Sequence, residues 1–268
     1  MHALTTFADR DAYERACAML ARLGVTPTTI SPDPAYRLVG VPALVVSPEQ
    51  RAAFTDQAGD DIMAVGWVDY REPAQPVPGH EPPEFADDAV GRIAIVMLAP
   101  CVADPEKLRL TAHLSGDLAA ALPYVNAELV HASYVAKLPV LSLMDGHRMV
   151  SIYRDRIAIA KADDIIDAWA TLERLRSRVN DVWSRRAEIT PSYELRRKPP
   201  FVEIYKRLPG TNCKRCGQAT CMAFAAALWR GEADPRACEP VFSGERGDLK
   251  DAFLQICSGL GVLESNGD

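Results

Sequence analysis

Apolar and polar positions change period several times along the chain, and the changes mark out its elements. Ala3 to Phe7 reads as a short strand. From Asp9 to Leu23, apolar residues fall at Ala12, Ala16, Met19, Leu20 and Leu23, the spacing of an amphipathic helix, which Gly24 ends. Thr26 to Ser31, rich in β-branched residues, predicts a second strand, and Ala43 to Val46 a third. Ser47-Pro48-Glu49 opens a helix with proline at its first position, and Ile62 to Tyr70 alternates as a fourth strand. The order strand-helix-strand-strand-helix-strand predicts a ferredoxin-like, split βαβ fold, a term of topology that implies no cluster.

Arg71 to Asp88 breaks the pattern with Pro73, Pro76, Pro78, Pro82, Pro83 and Gly79, and predicts a linker poorly suited to packing. Arg92 to Pro100 resumes as a buried strand. Leu108 to Leu122 reads as largely helical, broken at Ser115-Gly116-Asp117. Strands are expected at Ser133 to Ala136, Val140 to Met144, Met149 to Ile152 and Arg156 to Ile159, with Asp145-Gly146 as a hairpin turn. Asp163 to Arg186 carries Ile165, Ile166, Trp169, Leu172, Leu175, Val179 and Trp183 on one helical stripe. The expected whole is an α+β protein: a ferredoxin-like domain over residues 1–72, a linker over 73–90, and a second α+β domain over 91–190. Residues 191–268 form a basic connector and a small helical module.

Length and composition (268 residues, 48% hydrophobic, 25% charged) are those of a globular protein able to bury a core without disulfides. Apolar runs such as Ile93 to Ala99 are too short to cross a bilayer, and Met1 to Arg10 lacks the pattern of a secretory signal, so the cytoplasm is the expected compartment. The net charge of −6 conceals a gradient. Arg174 to Arg215 holds twelve Lys or Arg against four Asp or Glu, while the rest of the chain has eighteen against thirty-two. Overall acidity, with no aromatics interleaved among the cations, argues against nucleic-acid binding.

Of seven cysteines, Cys17 and Cys101 stand alone and five crowd the last fifth of the chain. In a reducing compartment such crowding reads as metal binding before disulfides. Cys213, Cys216, Cys221 and Cys238 are spaced C-x2-C-x4-C-x16-C. Four thiolates suit zinc or an iron–sulfur cluster. Structural zinc sites usually pair two short knuckles. Three ligands on one loop, with the fourth returning alone after a helix, favour the wider [4Fe-4S] cluster, and zinc is the alternative. Thr220 to Gly231 predicts a helix with Thr220 as N-cap, so Cys221 falls in its first turn, where the dipole favours thiolate. Gly210 and Gly217 would let the loop fold close. Met222, Phe224, Leu228 and Trp229 would form an apolar cover.

The run Leu208-Pro209-Gly210-Thr211-Asn212-Cys213-Lys-Arg-Cys216-Gly217-Gln-Ala-Thr220-Cys221-Met222-Ala223-Phe224-Ala225 resembles the four-cysteine module of the corrinoid iron-sulfur protein large subunit. A subunit of the membrane-bound ferredoxin oxidoreductase of anaerobic bacteria carries a similar module. The resemblance covers roughly residues 201–241 and implies that Cys213, Cys216, Cys221 and Cys238 ligate one [4Fe-4S] cluster. It brings neither a corrinoid-binding barrel nor a membrane segment. A looser likeness of the middle region to Fe-S proteins ending in such a module implies no activity. The first domain loosely resembles small carrier-like ferredoxin-fold domains but lacks their terminal cysteine.

Outside this set the chemistry is sparse. Cys257 falls on the apolar stripe of a helix over Leu249 to Leu260 and reads as packing, as do Cys17 and Cys101. None of the usual hydrolase, nucleotide-binding or metalloprotease motifs is present. Were the predicted helix over 108–122 to line a cleft, His113 and Asp117 would share one face of it. Arg196, Arg197, Lys198, Lys206, Arg207, Lys214 and Arg215 would steer an acidic redox partner of ferredoxin or flavodoxin type, or else form a solvated connector. The leading expectation is a soluble [4Fe-4S] protein that moves single electrons to or from a redox partner, with enzymatic activity left open. The alternatives are an accessory factor (a reductive activator of a corrinoid or other metalloenzyme, or a cluster carrier), an enzyme with substrate between the upstream domains, or a zinc-stapled interaction protein.

Overall fold

The computed structural model describes residues 2–58 and 62–260. The protein is α+β. The first elements are β1 (Ala3–Thr5), α1 (Arg10–Arg22), β2 (Thr28–Ile30), β3 (Ala43–Val46), α2 (Pro48–Gln57) and β4 (Val68–Asp69), and the strands form a sheet of order β2-β3-β1-β4. All three pairings are antiparallel, so β1 and β2 run parallel with β3 between them. The helices start where their caps dictate. The Asp9 carboxylate accepts from the Ala12 amide at 2.7 Å, and Ser47 and Gln50 form a reciprocal capping box ahead of Pro48. Phe7, Leu20, Leu44 and Phe54 are buried between helices and sheet, with Trp67 edge-on to Phe54 at 5.6 Å.

A second sheet, of order β5-β6-β10-β9-β8-β7, is built from β5 (Ile93–Pro100), β6 (Leu108–Leu114), β7 (Ser133–Val135), β8 (Val140–Asp145), β9 (Arg148–Tyr153) and β10 (Arg156–Ala162). The helical reading of 108–122 is corrected here: Leu108 to Leu114 is a strand, and α3 (Leu122–Glu128) begins only after the turn. Leu108, Leu110 and Ala112 are buried while Arg109 and His113 face solvent, a period of two that β5 and β10 enforce from either side. The fourth predicted strand also shrinks, from Ile62–Tyr70 to two residues. Gly66, at φ 144°, brings its backbone so close to the Leu98 carbonyl that a Cβ would sit 1.9 Å from that oxygen.

The chain forms two compact units. One comprises the residues up to 121 with 152–189, and the other 122–151 with 190 onward. Each unit is assembled from two stretches of chain. In the first, α4 (Ile165–Ser184) is capped by Asp164, whose carboxylate accepts from the Asp167 amide. The proline-rich stretch has no helix or strand, yet its end is anchored. Arg176, 1% exposed, donates to the Glu173 carboxylate and the Pro83 carbonyl, pairs with Asp88, and lies over the Phe85 ring. Asn180 donates to Asp88 at 2.6 Å and accepts from the Ala89 amide. The expectation that 71–88 packs poorly therefore fails at its C-terminal end, because buried polar groups on α4 require partners and find them there.

The second unit collects α3, the hairpin of β7 and β8, and α5 (Phe201–Tyr205), α6 (Cys221–Trp229), α7 (Glu239–Phe242) and α8 (Lys250–Ser258). Ile204, Phe224, Leu228, Val241, Phe253 and Cys257 make its core. The connector is tied down by α3: Asn126, fully buried, donates to the Ser192 and Glu194 carbonyls, and Arg196 donates to the Asn126 side-chain oxygen at 3.0 Å. Gly231 ends α6 at φ 72°, where a Cβ would lie 2.0 Å from the Gly146 carbonyl oxygen in the turn after β8.

Arg176→Ala leaves Glu173 buried without its cation and should destabilise the first unit by about 3 kcal/mol in urea unfolding, with Arg176→Lys recovering only part because one ammonium cannot reach all these acceptors.

Candidate metal centre

Helix α6 is the rail on which the cysteine region is laid. The Thr220 side chain accepts from the Ala223 amide at 3.0 Å, the N-cap expected from sequence, and this puts Cys221 at the first helical position. Upstream, the loop is strongly bent. Gly210, Asn212, Lys214 and Gly217 all have positive φ, at 70°, 51°, 64° and 79°. The side-chain oxygen of Asn212 accepts from the Cys221 amide at 2.8 Å, which closes the loop onto the helix. Downstream, a 3-10 turn over Pro235–Ala237, capped by Asp234, returns the chain so that Cys238 precedes α7.

The result brings all four predicted cysteines together. Cys213, Cys216, Cys221 and Cys238 line one small pocket with Pro209, Asn212 and Phe224. They are not equally placed. Cys221 and Cys238 are 8% and 5% exposed and belong to the hydrophobic core, Cys216 is half-buried against it, and Cys213 is open to solvent. Burial pushes the Cys238 thiol up to about 11, opposed by the Val241 amide and reinforced by the three neighbouring cysteines. Among the described residues, no three His, Cys, Asp or Glu side chains converge as they would around a single metal ion.

Other candidates fall away from this pocket. Cys257 is fully buried beside Phe253, and burial pushes its thiol up to about 12, the environment of a packing residue. Cys101 is buried and Cys17 half-buried, both in the other unit. His113 and Asp117 share no helical face, since His113 lies on β6 and Asp117 in the following turn. The Asp117 carboxyl is held below its usual range by the Ala119 amide and by its ion pair with Arg154.

One expectation about the surroundings, the four-residue apolar cover, is corrected. Phe224 lines the pocket and Leu228 is buried in the core, but Met222 and Trp229 are more than a third exposed, because, seven residues apart, they share a side of α6 away from Phe224, Ala225 and Leu228. The basic stretch is largely engaged in internal pairing. Arg196 binds α3, Lys206 and Arg207 pair with Glu203, and Arg215 pairs with Glu239 and Glu245. Lys198 donates to the Trp229 carbonyl at the end of α6 and lies over its ring at 4.3 Å, and burial pushes its ammonium down to about 8. Among the described residues, Arg197 and Lys214 are exposed and unpaired. Sequence reading gave no role to Asn212; the signal was an asparagine, a residue tolerant of left-handed backbone, just ahead of the first cysteine.

Comparison with known proteins places the same stretch. A family model described as "Putative Fe-S cluster" matches residues 208–240. Relatives include the acetyl-CoA decarbonylase/synthase complex subunit gamma 2 of Methanosarcina thermophila, 44% identical over 54 residues, which are 20% of this chain and 12% of that protein. The corresponding gamma subunit of Methanocaldococcus jannaschii is 50% identical over 62 residues, 23% of this chain and 13% of its own. The corrinoid/iron-sulfur protein large subunit of Moorella thermoacetica is 45% identical over 51 residues, 19% and 11% of the two chains. These matches thus span only about an eighth of each relative. No solved structure matches the chain. No helix among the described residues is long and apolar enough to cross a membrane.

Thr220→Ala removes the cap that fixes Cys221 at the start of α6 and should cost about 1 kcal/mol in thermal or urea unfolding of the metal-free chain, with Thr220→Ser near wild type.

Proposed function

We infer that Cys213, Cys216, Cys221 and Cys238 ligate one [4Fe-4S] cluster, and that the protein passes single electrons to or from a protein partner. One observation carries this reading: the four thiols line a common pocket at the N-terminus of α6, inside the stretch that the Fe-S family model matches. The donor set fits the group. It is wholly thiol, it is spread over a bent loop, a helix start and a returning turn, and it is backed by Phe224 and Leu228. When bound, such a cluster supplies one-electron redox chemistry. The protein's part is to exclude water with the core behind Cys221 and Cys238, to place the positive end of α6 near anionic sulfur, and to leave Cys213 at the surface.

The exposed Cys213 edge is the natural point of electron exchange, with Lys214 beside it as an unpaired cation that would favour an acidic partner of ferredoxin or flavodoxin type. The relatives themselves favour a second reading. They are subunits of metalloenzyme complexes or a corrinoid/iron-sulfur protein, so this chain would serve as an accessory that reduces or activates such a partner. In either case we read the first sheet, with its order β2-β3-β1-β4, as a ferredoxin-like domain that supplies docking surface.

Protein purified anaerobically should contain about four irons and four sulfides per chain, with a centre that a one-electron donor reduces. Cys216→Ser and Cys221→Ser should each lose most of that iron, and Cys257→Ser should keep it. Iron loss in Cys257→Ser with retention in Cys238→Ser would replace the fourth ligand. A full complement of zinc under strict anaerobiosis would overturn the cluster, and a reducible cluster unable to exchange electrons with any ferredoxin or flavodoxin would favour the accessory reading.

A further inference from the structure

Signs of φ alternate through the loop that precedes α6. Gly210, Asn212 and Lys214 are positive, and Thr211 and Cys213 between them are not. Alternation of this kind turns successive backbone N–H groups toward one concave side, the arrangement by which short loops bind anions without a charged side chain. Among the described residues, the amides of Thr211, Asn212, Cys213, Lys214, Arg215 and Cys216 have no hydrogen-bond partner within the protein, although the loop itself is held at both ends. Gly217 donates to the Lys214 carbonyl at 2.9 Å, and Asn212 accepts from Cys221 at 2.8 Å. Two residues with side chains, Asn212 and Lys214, keep a backbone that favours glycine. Such strain persists only where the surroundings enforce it.

We propose that Asn212 is a positioning residue that clamps this loop to the first turn of α6 and so keeps its free amides turned toward the sulfur ligands. The inference rests on the cluster reading and deepens it. Asn212 does two things that no other side chain there combines. Its left-handed backbone continues the alternation between Thr211 and Cys213, and its amide oxygen occupies the Cys221 N–H, an orphan donor of the helix start. That bond links Cys221 to the loop that carries Cys213 and Cys216, so three of the four ligands move as one body. Amides turned toward sulfur stabilise the more negative, reduced state, and losing their alignment lowers the reduction potential.

The test compares Asn212→Ala, Asn212→Gly and Asn212→Asp in the full chain. The readouts are iron and sulfide content, the rate at which a chelator removes iron, and the reduction potential. Asn212→Ala loses both the hydrogen bond and the ease of positive φ; it should release iron about 10- to 100-fold faster and shift the potential negative. Asn212→Gly keeps the backbone but not the bond and should fall between. Asn212→Asp keeps the acceptor and tolerates the backbone, so it should retain iron nearly as wild type. Lys214→Gly keeps a residue at ease with positive φ and should leave iron retention unchanged. Wild-type protein without iron overturns the cluster reading, and the role at the cluster falls with it. Iron-replete wild type matched by Asn212→Ala in both release rate and potential overturns the clamp alone.

Discussion

Cys221 and Cys238 both sit in the hydrophobic core, and burial makes the Cys238 thiol resist ionisation because its charged form gives up its hydration. Yet only thiolates bind iron or zinc tightly. The second unit is organised around that conflict. Burial pushes the Cys238 thiol up to about 11, so a metal held there would have to displace its proton. Helix α6 supplies a favourable field at its N-terminus, where Cys221 sits. Thr220 fixes where the helix starts, and Asn212 brings the rest of the loop to it.

Seen from this constraint, the outlying parts of the second unit have evident work. Gly231 lets the turn after β8 approach the far end of α6, and Lys198 caps that end by donating to the Trp229 carbonyl. Arg196, bound to Asn126 on α3, ties the connector to the same unit. Most cations of the basic stretch are thus paired within the chain. Lys214, exposed and unpaired among the described residues, lies next to the exposed Cys213. Burial at one side of the pocket and exposure at the other give the site a direction.

Much of this was legible in the chain because it is local. The cysteine spacing, the Thr220 cap, the helix starts at Asp9 and Ser47, the short apolar run of β3 and the alternation in β10 are decided within a few residues. What was hidden depends on distant partners. Leu108, Leu110 and Ala112 suit a strand, but with Leu118, Ala121 and Leu122 they also suit a helix, and only pairing with β5 and β10 decides. The anchoring of the proline-rich stretch by Arg176 and Asn180 joins residues about ninety apart, and the Arg196–Asn126 contact joins residues seventy apart. Which residues of α6 face inward is likewise set by α5 and the core, which leave Met222 and Trp229 outside.

Native mass spectrometry of the intact chain, purified and sprayed without oxygen, tests most directly whether the four thiols hold a single cluster. The account predicts one dominant species heavier than the metal-free chain by four irons and four sulfides, less the protons that four thiols release. A dominant species carrying one zinc ion, or the metal-free mass alone, would contradict it.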